Sequence, residues 1–263
     1  MRFPEQIQEA DIPLLMKFIS EESNRYTDDL NICAHCISDS EIKTLLSLDN
    51  QKRFLTITYA IVKNLEGIDN GVVASQEFID SMDGKARLMQ IWITLGSVIE
   101  ALLQLFLAVY LFDYKKTGWH QWVNYNETKT KDEIAKSIDI LVCSGYIDAD
   151  YARSLKKTIR EELRARRKIP SIDTIMLYDL IEFYRKEVQF GHEDIEILNE
   201  IRENRNCIHS LSPRTIGDWD RLIFSLKYYL HLLLRLRSML PDCSAILEAE
   251  AIISTEMESY NAE

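Results

Sequence analysis

The pattern of apolar and polar positions along this chain is that of helices. In "EADIPLLMKFISEES" (9–23) apolar residues return at 3.6-residue spacing. "SDSEIKTLLSL" (38–48) opens with a Ser/Asp cap followed by a Glu, a helix-start signal. "QKRFLTITYAIVKNLEG" (51–67) ends on Gly67, a candidate helix C-cap, although its Thr, Ile, Tyr and Val content also suits a strand. Residues 1–80 thus read as several short helices. The pattern breaks at "EGIDNG" and "DSMDGKAR", which predicts a boundary near residue 84. A long helix is expected over 85–114. A helical pair follows, "KDEIAKSIDILVCSGY" and "DADYARSLKKTIREELRARRK", with its turn at Gly145 and its end at Pro170. "SIDTIMLYDLIEFYRKEV" (171–188) predicts a helix capped by Ser171 or Asp173. "HEDIEILNEIRENRNCIH" stays helical up to Ser212–Pro213, and "GDWDRLIFSLKYYLHLLLRLRSML" is the last long amphipathic helix, ended by Pro241. No stretch alternates like a strand between turn signals. The expected fold is an all-α bundle: an N-terminal helical extension (1–84), a helical bundle (85–240) and an acidic C-terminal tail (241–263).

Composition fits that picture. The chain has 263 residues, enough for a large core, and only 8 Gly and 5 Pro, so helix breakers are scarce. The apolar run at 88–112 is long enough to span a bilayer. Gln90, Glu100 and Gln104 interrupt it, however, and a charged residue at mid-membrane is costly. A buried central helix and no membrane partner are therefore expected. The N-terminus lacks the basic-then-apolar build of a signal peptide, and five cysteines follow no disulfide framework, which points to the cytoplasm.

Charge is unevenly spread. The net value is −11, yet "RSLKKTIREELRARRK" (153–168) holds eight basic and two acidic residues, a local +6 that leaves −17 elsewhere. Arg160, Arg164, Arg166, Arg167 and Lys168 are the candidates for contact with a phosphate backbone. The alternative is a solvated helix face with Glu161–Arg164 and Glu162–Arg166 pairs. "CAHC" offers Cys33, His35 and Cys36, but a structural zinc takes four ligands and no second such pair follows. No glycine-rich phosphate loop, nucleophile elbow or HExxH occurs either, so no metal and no cofactor are expected.

The densest polar chemistry lies in "IRENRNCIHS" (201–210). On a helix, Arg205, Asn206 and His209 fall about 60° behind, 40° ahead of and 20° behind Arg202, so all four share one stripe. Glu100, a lone acid among Val98, Ile99, Leu102 and Leu103, needs a partner if buried, and this stripe is the obvious supplier of positive charge.

Those residues resemble the HEPN superfamily. Arg202 and His209 are separated by six residues, within that family's Arg-x4-6-His spacing. "RENRNCIHS" is similar to an R-x-x-R-N-x-I-H-P variant, with Ser210 where proline is usual. "LGSVIEALL" (95–103) looks like the opening helix of such domains, and "MLYDLIEFYRKE" (176–187) like the helix preceding the motif helix. The resemblance covers roughly 85–240. The commoner form has Arg-Asn, three residues, then His, whereas Arg205–Asn206 precedes His209 by one residue fewer. Either Arg202 or Arg205 is the motif arginine.

The resemblance implies a homodimer with motif helices facing each other and a metal-independent ribonuclease, in defence or as a toxin, with RNA as substrate and a regulatory or antitoxin protein as a further partner. The catalytic set would be Arg202, Arg205, Asn206, His209 and Glu100. Histidine transfers protons near neutral pH, and arginine grips phosphoryl oxygens. The alternative is a non-catalytic HEPN-like module that uses the same row for dimerisation or interaction. HEPN toxins silenced by nucleotidylation carry a tyrosine two residues after the histidine. Leu211 stands there.

Overall fold

The computed structural model describes residues 3–117, 127–165, 171–206, 216–243 and 246. Every regular element among them is helical, in line with the all-α expectation. The α-helices are α1 (Glu5–Gln8), α2 (Ile12–Cys36), α3 (Ser40–Leu45), α4 (Leu48–Leu65), α5 (Asn70–Val73), α6 (Gln76–Asp80), α7 (Met82–Val109), α8 (Leu111–Lys116), α9 (Glu127–Cys143), α10 (Ala149–Ala165), α11 (Leu177–Lys186), α12 (His192–Asn206) and α13 (Trp219–Ser238).

The chain forms two compact units, 1–111 with 175–263, and 112–174. In the first, α7 is the axis. α4 lies along it, α11, α12 and α13 pack against it, and α2 bridges α4 and α13. α7 is long and apolar enough to cross a membrane, and 67% of its most apolar window is buried inside the protein. Trp92, Leu95, Val98, Ile99, Leu102 and Leu103 are fully enclosed. The expected division at residue 84 does not follow this packing. Tyr26 and Leu30 of α2 and Phe54 and Ile61 of α4 are completely buried in the unit that α7 and α13 complete. Residues 1–84 are thus part of the main core. Of the acidic tail, residues 244–245 and 247–263 lie outside the described residues.

Local sequence explains several helix ends. Asp39 accepts from the backbone N–H of Glu41 and Ile42, both at 2.9 Å, and starts α3. Asp218 does the same for α13 through Arg221. The stretch from 51 is helical as far as Leu65, because Phe54, Thr58, Ile61 and Leu65 bury one 3.6-period face. Gly67, at φ +77°, follows the end of α4, a conformation that favours glycine. In the second unit α9 and α10 pair as a hairpin, and Gly145 (φ +71°) forms the expected turn. There Tyr146 N–H reaches Leu141 C=O and Gly145 N–H reaches Val142 C=O, the reciprocal pattern of a Schellman end.

Three boundaries differ from expectation. "DSMDGKAR" is no break: Ser81 caps α7 by accepting from Gly84 N–H at 2.9 Å. Gly84 serves close approach there, since a Cβ would lie 2.1 Å from the Phe78 carbonyl oxygen. The long helix stops at Val109 rather than 114. α11 begins at Leu177, not near Ser171 or Asp173. Those two side chains bond each other beside a short 3-10 turn, Ile172–Thr174, and the residue ahead of α11, Met176, has no capping side chain.

Elsewhere the core carries paired polar groups. Asp194, 5% exposed, accepts from Tyr228 Oη (3.2 Å), Arg235 Nη1 (2.9 Å) and Gly191 N–H (3.2 Å). The Arg235 guanidinium stacks 4.4 Å above the Phe190 ring. Burial lowers the pKa of His231 below its ordinary 6.5, with Asp194 opposing the shift and Arg235 adding to it. The folded protein therefore resists a proton that the unfolded chain accepts, and stability should fall as pH drops below about 6.5. His231→Gln should show a shallower loss of denaturation midpoint between pH 6.5 and 5 than the parent. Equal slopes would remove His231 from the acid response.

Candidate functional site

The site grows from α7. Glu100, in the apolar middle of this helix, is about three-quarters buried and directs Oε2 at two donors. Arg205 Nη1 of α12 donates at 2.6 Å, and the backbone N–H of Leu177, the first residue of α11, donates at 2.9 Å. The carboxylate thus supplies the cap that α11 lacks in its own sequence, with a negative charge where a helix N-terminus favours one. One turn further along α7, Gln104 Nε2 donates to Ile175 C=O at 2.9 Å, and Tyr184 of α11 donates to Leu103 C=O at 2.8 Å. These bonds hold α11 against α7.

Arg205 reaches Glu100 because α12 crosses α7 at a glycine. A Cβ on Gly96 would lie 2.6 Å from Arg205 Cδ and 2.9 Å from Arg205 Cβ. No larger residue fits unless α12 withdraws. The other arginine of the stripe has a different environment. Arg202, one turn back, lays its guanidinium 5.3 Å from the centre of the Tyr178 ring and donates to Asn199 Oδ1 and Glu203 Oε1, both at 3.3 Å. Leu177 and Tyr178 are adjacent, so the two arginines bracket the first turn of α11.

Glu100, Arg202 and Arg205 are brought together, and half-buried Asn206 ends α12 beside them. His209 lies outside the described residues. Of the RNA-contact candidates, Arg160 is exposed on α10, while Arg166, Arg167, Lys168 and the side chain of Arg164 lie outside the described residues. Other bases of that helix are ion-paired: Arg153 with Asp150 (3.2 Å), Lys156 with Asp139 of α9 (2.6 Å) and Lys157 with Glu161 (4.0 Å). Among the described residues no group of three or more His, Cys, Asp or Glu is arranged to hold a metal ion.

Sequence reasoning passed over Asn204, which is 6% exposed. Its Oδ1 accepts from Gly217 N–H at 2.6 Å, and Gly217 C=O accepts from Trp92 Nε1 at 2.9 Å. A Cβ on Gly217 would meet the Trp92 ring at 2.8 Å. The chain is therefore pinned to α7 on both sides of 207–215. A signal was available in the first asparagine of "RENRN", which helix phase places about 200° from Arg202, on the face opposite the stripe. No protein-family model, curated protein or solved structure matches the chain.

Removing the Glu100 carboxylate should strand Arg205 and uncap α11 together. Glu100→Ala should cost about 2–3 kcal/mol in urea unfolding. Glu100→Gln keeps an acceptor and should cost less. Gly96→Ala should cost about 1–3 kcal/mol by overpacking. Combined with Glu100→Ala it should be less than additive, because both break the same bond. Strict additivity would show that Gly96 does not act through Arg205.

Proposed function

We propose that this chain is a metal-independent endoribonuclease of HEPN type, acting as a homodimer through the motif helix, in defence or as a toxin. The observation that supports it is the joint placement of Arg202, Arg205 and Asn206 on the last turns of α12, with Arg205 fixed by Glu100 and the chain leading directly to His209. In this reading His209 of one protomer removes the proton from an RNA 2′-hydroxyl. The 2′-oxygen attacks the adjacent phosphorus, and the partner's His209 gives a proton to the departing 5′-oxygen. The products are a 2′,3′-cyclic phosphate and a 5′-hydroxyl. Arg202, held by a ring and an exposed acid, is the arginine available to grip the phosphoryl oxygens. Arg205 is committed to Glu100 and positions the helix.

RNA incubated with the protein in EDTA should give cyclic phosphate ends, and ends bearing 5′-phosphate would defeat the mechanism. His209→Ala should lower cleavage at least about a hundredfold with an unchanged melting temperature. Arg202→Ala should do the same. Arg205→Ala should lose stability as well as rate.

A second reading is a non-catalytic interaction module, favoured by the commitment of Arg205 to an ion pair. Under it the parent shows no RNA cleavage and the row serves only to hold helices together.

The basic helix gives a separate test. Replacing Arg160, Arg164, Arg166, Arg167 and Lys168 together should weaken RNA binding. The slope of log affinity against log salt should become shallower by about 0.7 per lost single-strand contact. An unchanged slope would make α10 a solvated face whose charges are met within the protein, as those of Arg153, Lys156 and Lys157 are.

A further inference from the structure

Helices α2 and α4 pair antiparallel. Gln51 Nε2 donates to Asn31 Oδ1 at 2.9 Å, and further along the pair Ser23 and Thr58 meet over one hydroxyl, that of Tyr229 of α13. At that level α2 puts forward only short polar side chains, Ser20, Ser23 and Asn24, and a cleft of about 170 Å³ results. Its other wall is Leu55, Tyr59 and Val62 of α4, which recur at i, i+4 and i+7 and so share one stripe. Ser23 and Thr58, 0% and 3% exposed, lie deepest, and Tyr59, 59% exposed, stands at the rim. None of the residues that line the cleft is charged.

The bonds beneath the cleft decide what it can take. Thr58 Oγ1 donates to Phe54 C=O at 3.1 Å, so toward Tyr229 Oη, 3.4 Å away, it acts as acceptor. Tyr229 then gives its single proton to Thr58 and accepts from Ser23 Oγ, 3.3 Å away. Both distances are long for hydroxyl pairs, which usually lie within about 2.5–3.0 Å, and Thr58 keeps a second lone pair. At the rim Asn24 Nδ2 donates to Ser20 C=O at 2.8 Å, which leaves its Oδ1 as an acceptor.

We propose that this cleft binds one neutral monosaccharide ring. A cavity of about 150 Å³ already admits a six-membered ring. The C–H face of the sugar lies on Leu55, Tyr59 and Val62, and its hydroxyls donate to Thr58 Oγ1 and Asn24 Oδ1 beside the Ser20 hydroxyl. A hydrocarbon ring would leave those acceptors unpaired. An anion would bring further acceptors to a site with no cation among its lining residues. A sugar, apolar on its face and rich in donors at its edge, matches both walls.

The test is a titration of the isotope-labelled full-length protein with D-glucose, followed by heteronuclear NMR. Shifts of the Asn24 side-chain amide and of the Thr58 and Tyr59 backbone amides should saturate with a Kd of about 1–10 mM, the range for so small a ligand. Tyr59→Ala, at an exposed position, should weaken binding about threefold to tenfold with an unchanged melting temperature. Asn24→Leu, also exposed, should weaken it as well. Glucuronate should bind no more tightly than glucose, and cyclohexanol more weakly. Shifts that are still linear at about 50 mM glucose would overturn the proposal. So would an affinity unchanged in both variants, cyclohexanol binding as tightly as glucose, or tighter binding of glucuronate.

Discussion

A single carboxylate ties the helices that carry the candidate site. Glu100 sits among Val98, Ile99, Leu102 and Leu103 of α7, where a carboxylate without partners would be costly to desolvate. Arg205 and the Leu177 N–H meet it on one oxygen, so three helices converge on Oε2. The interaction works in both directions. The acid would be expensive without its donors, and α11 would start with an unsatisfied N–H without the acid. Gly96, one turn before Glu100, makes room for the Arg205 side chain.

Around this tie the fold repeats the same device, in which a buried polar side chain reaches across helices to satisfy backbone or charge. Asn204 and Trp92 secure Gly217, and Asp194 gathers Tyr228, Arg235 and Gly191. Both hold the ends of α12, the helix with the arginine row. A helix fixed at each end and in its last turn presents Arg202 in a defined direction, which a phosphate-binding side chain requires. The division of labour between the two arginines follows from their neighbours. Arg205 is paired with a mostly buried acid, whereas Arg202 rests on the face of Tyr178.

Much of this was legible in the residues. The helical period, the Asp39 cap, the Gly67 and Gly145 ends and the need of Glu100 for a partner on the 202–209 stripe all rest on interactions within a few residues or on one buried charge. The start of α11 was not legible. Ser171 and Asp173 look like caps, but the cap that acts is 77 residues away in sequence, on Glu100. "MDGKAR" reads as a break because glycine usually ends helices, whereas Gly84 admits the Phe78 carbonyl to the first turn of α7. The basic stretch reads as an unneutralised +6, yet one of its lysines is met by Asp139 on the neighbouring helix.

The sequence by itself determined that the chain is helical, where its apolar faces run, and that one acid in its most apolar helix must find a positive partner. Those properties depend on periodicity and on the cost of burying charge, both written residue by residue. The tertiary structure alone decided which arginine that partner is. Arg202 and Arg205 lie on the same stripe less than one turn apart, so helix phase cannot separate them. The distinction comes from where α12 crosses α7. The notch at Gly96 admits the Arg205 side chain, and the crossing leaves Arg202 beside Tyr178. A contact between helices more than a hundred residues apart is set by the packing of both surfaces, and no local pattern encodes it.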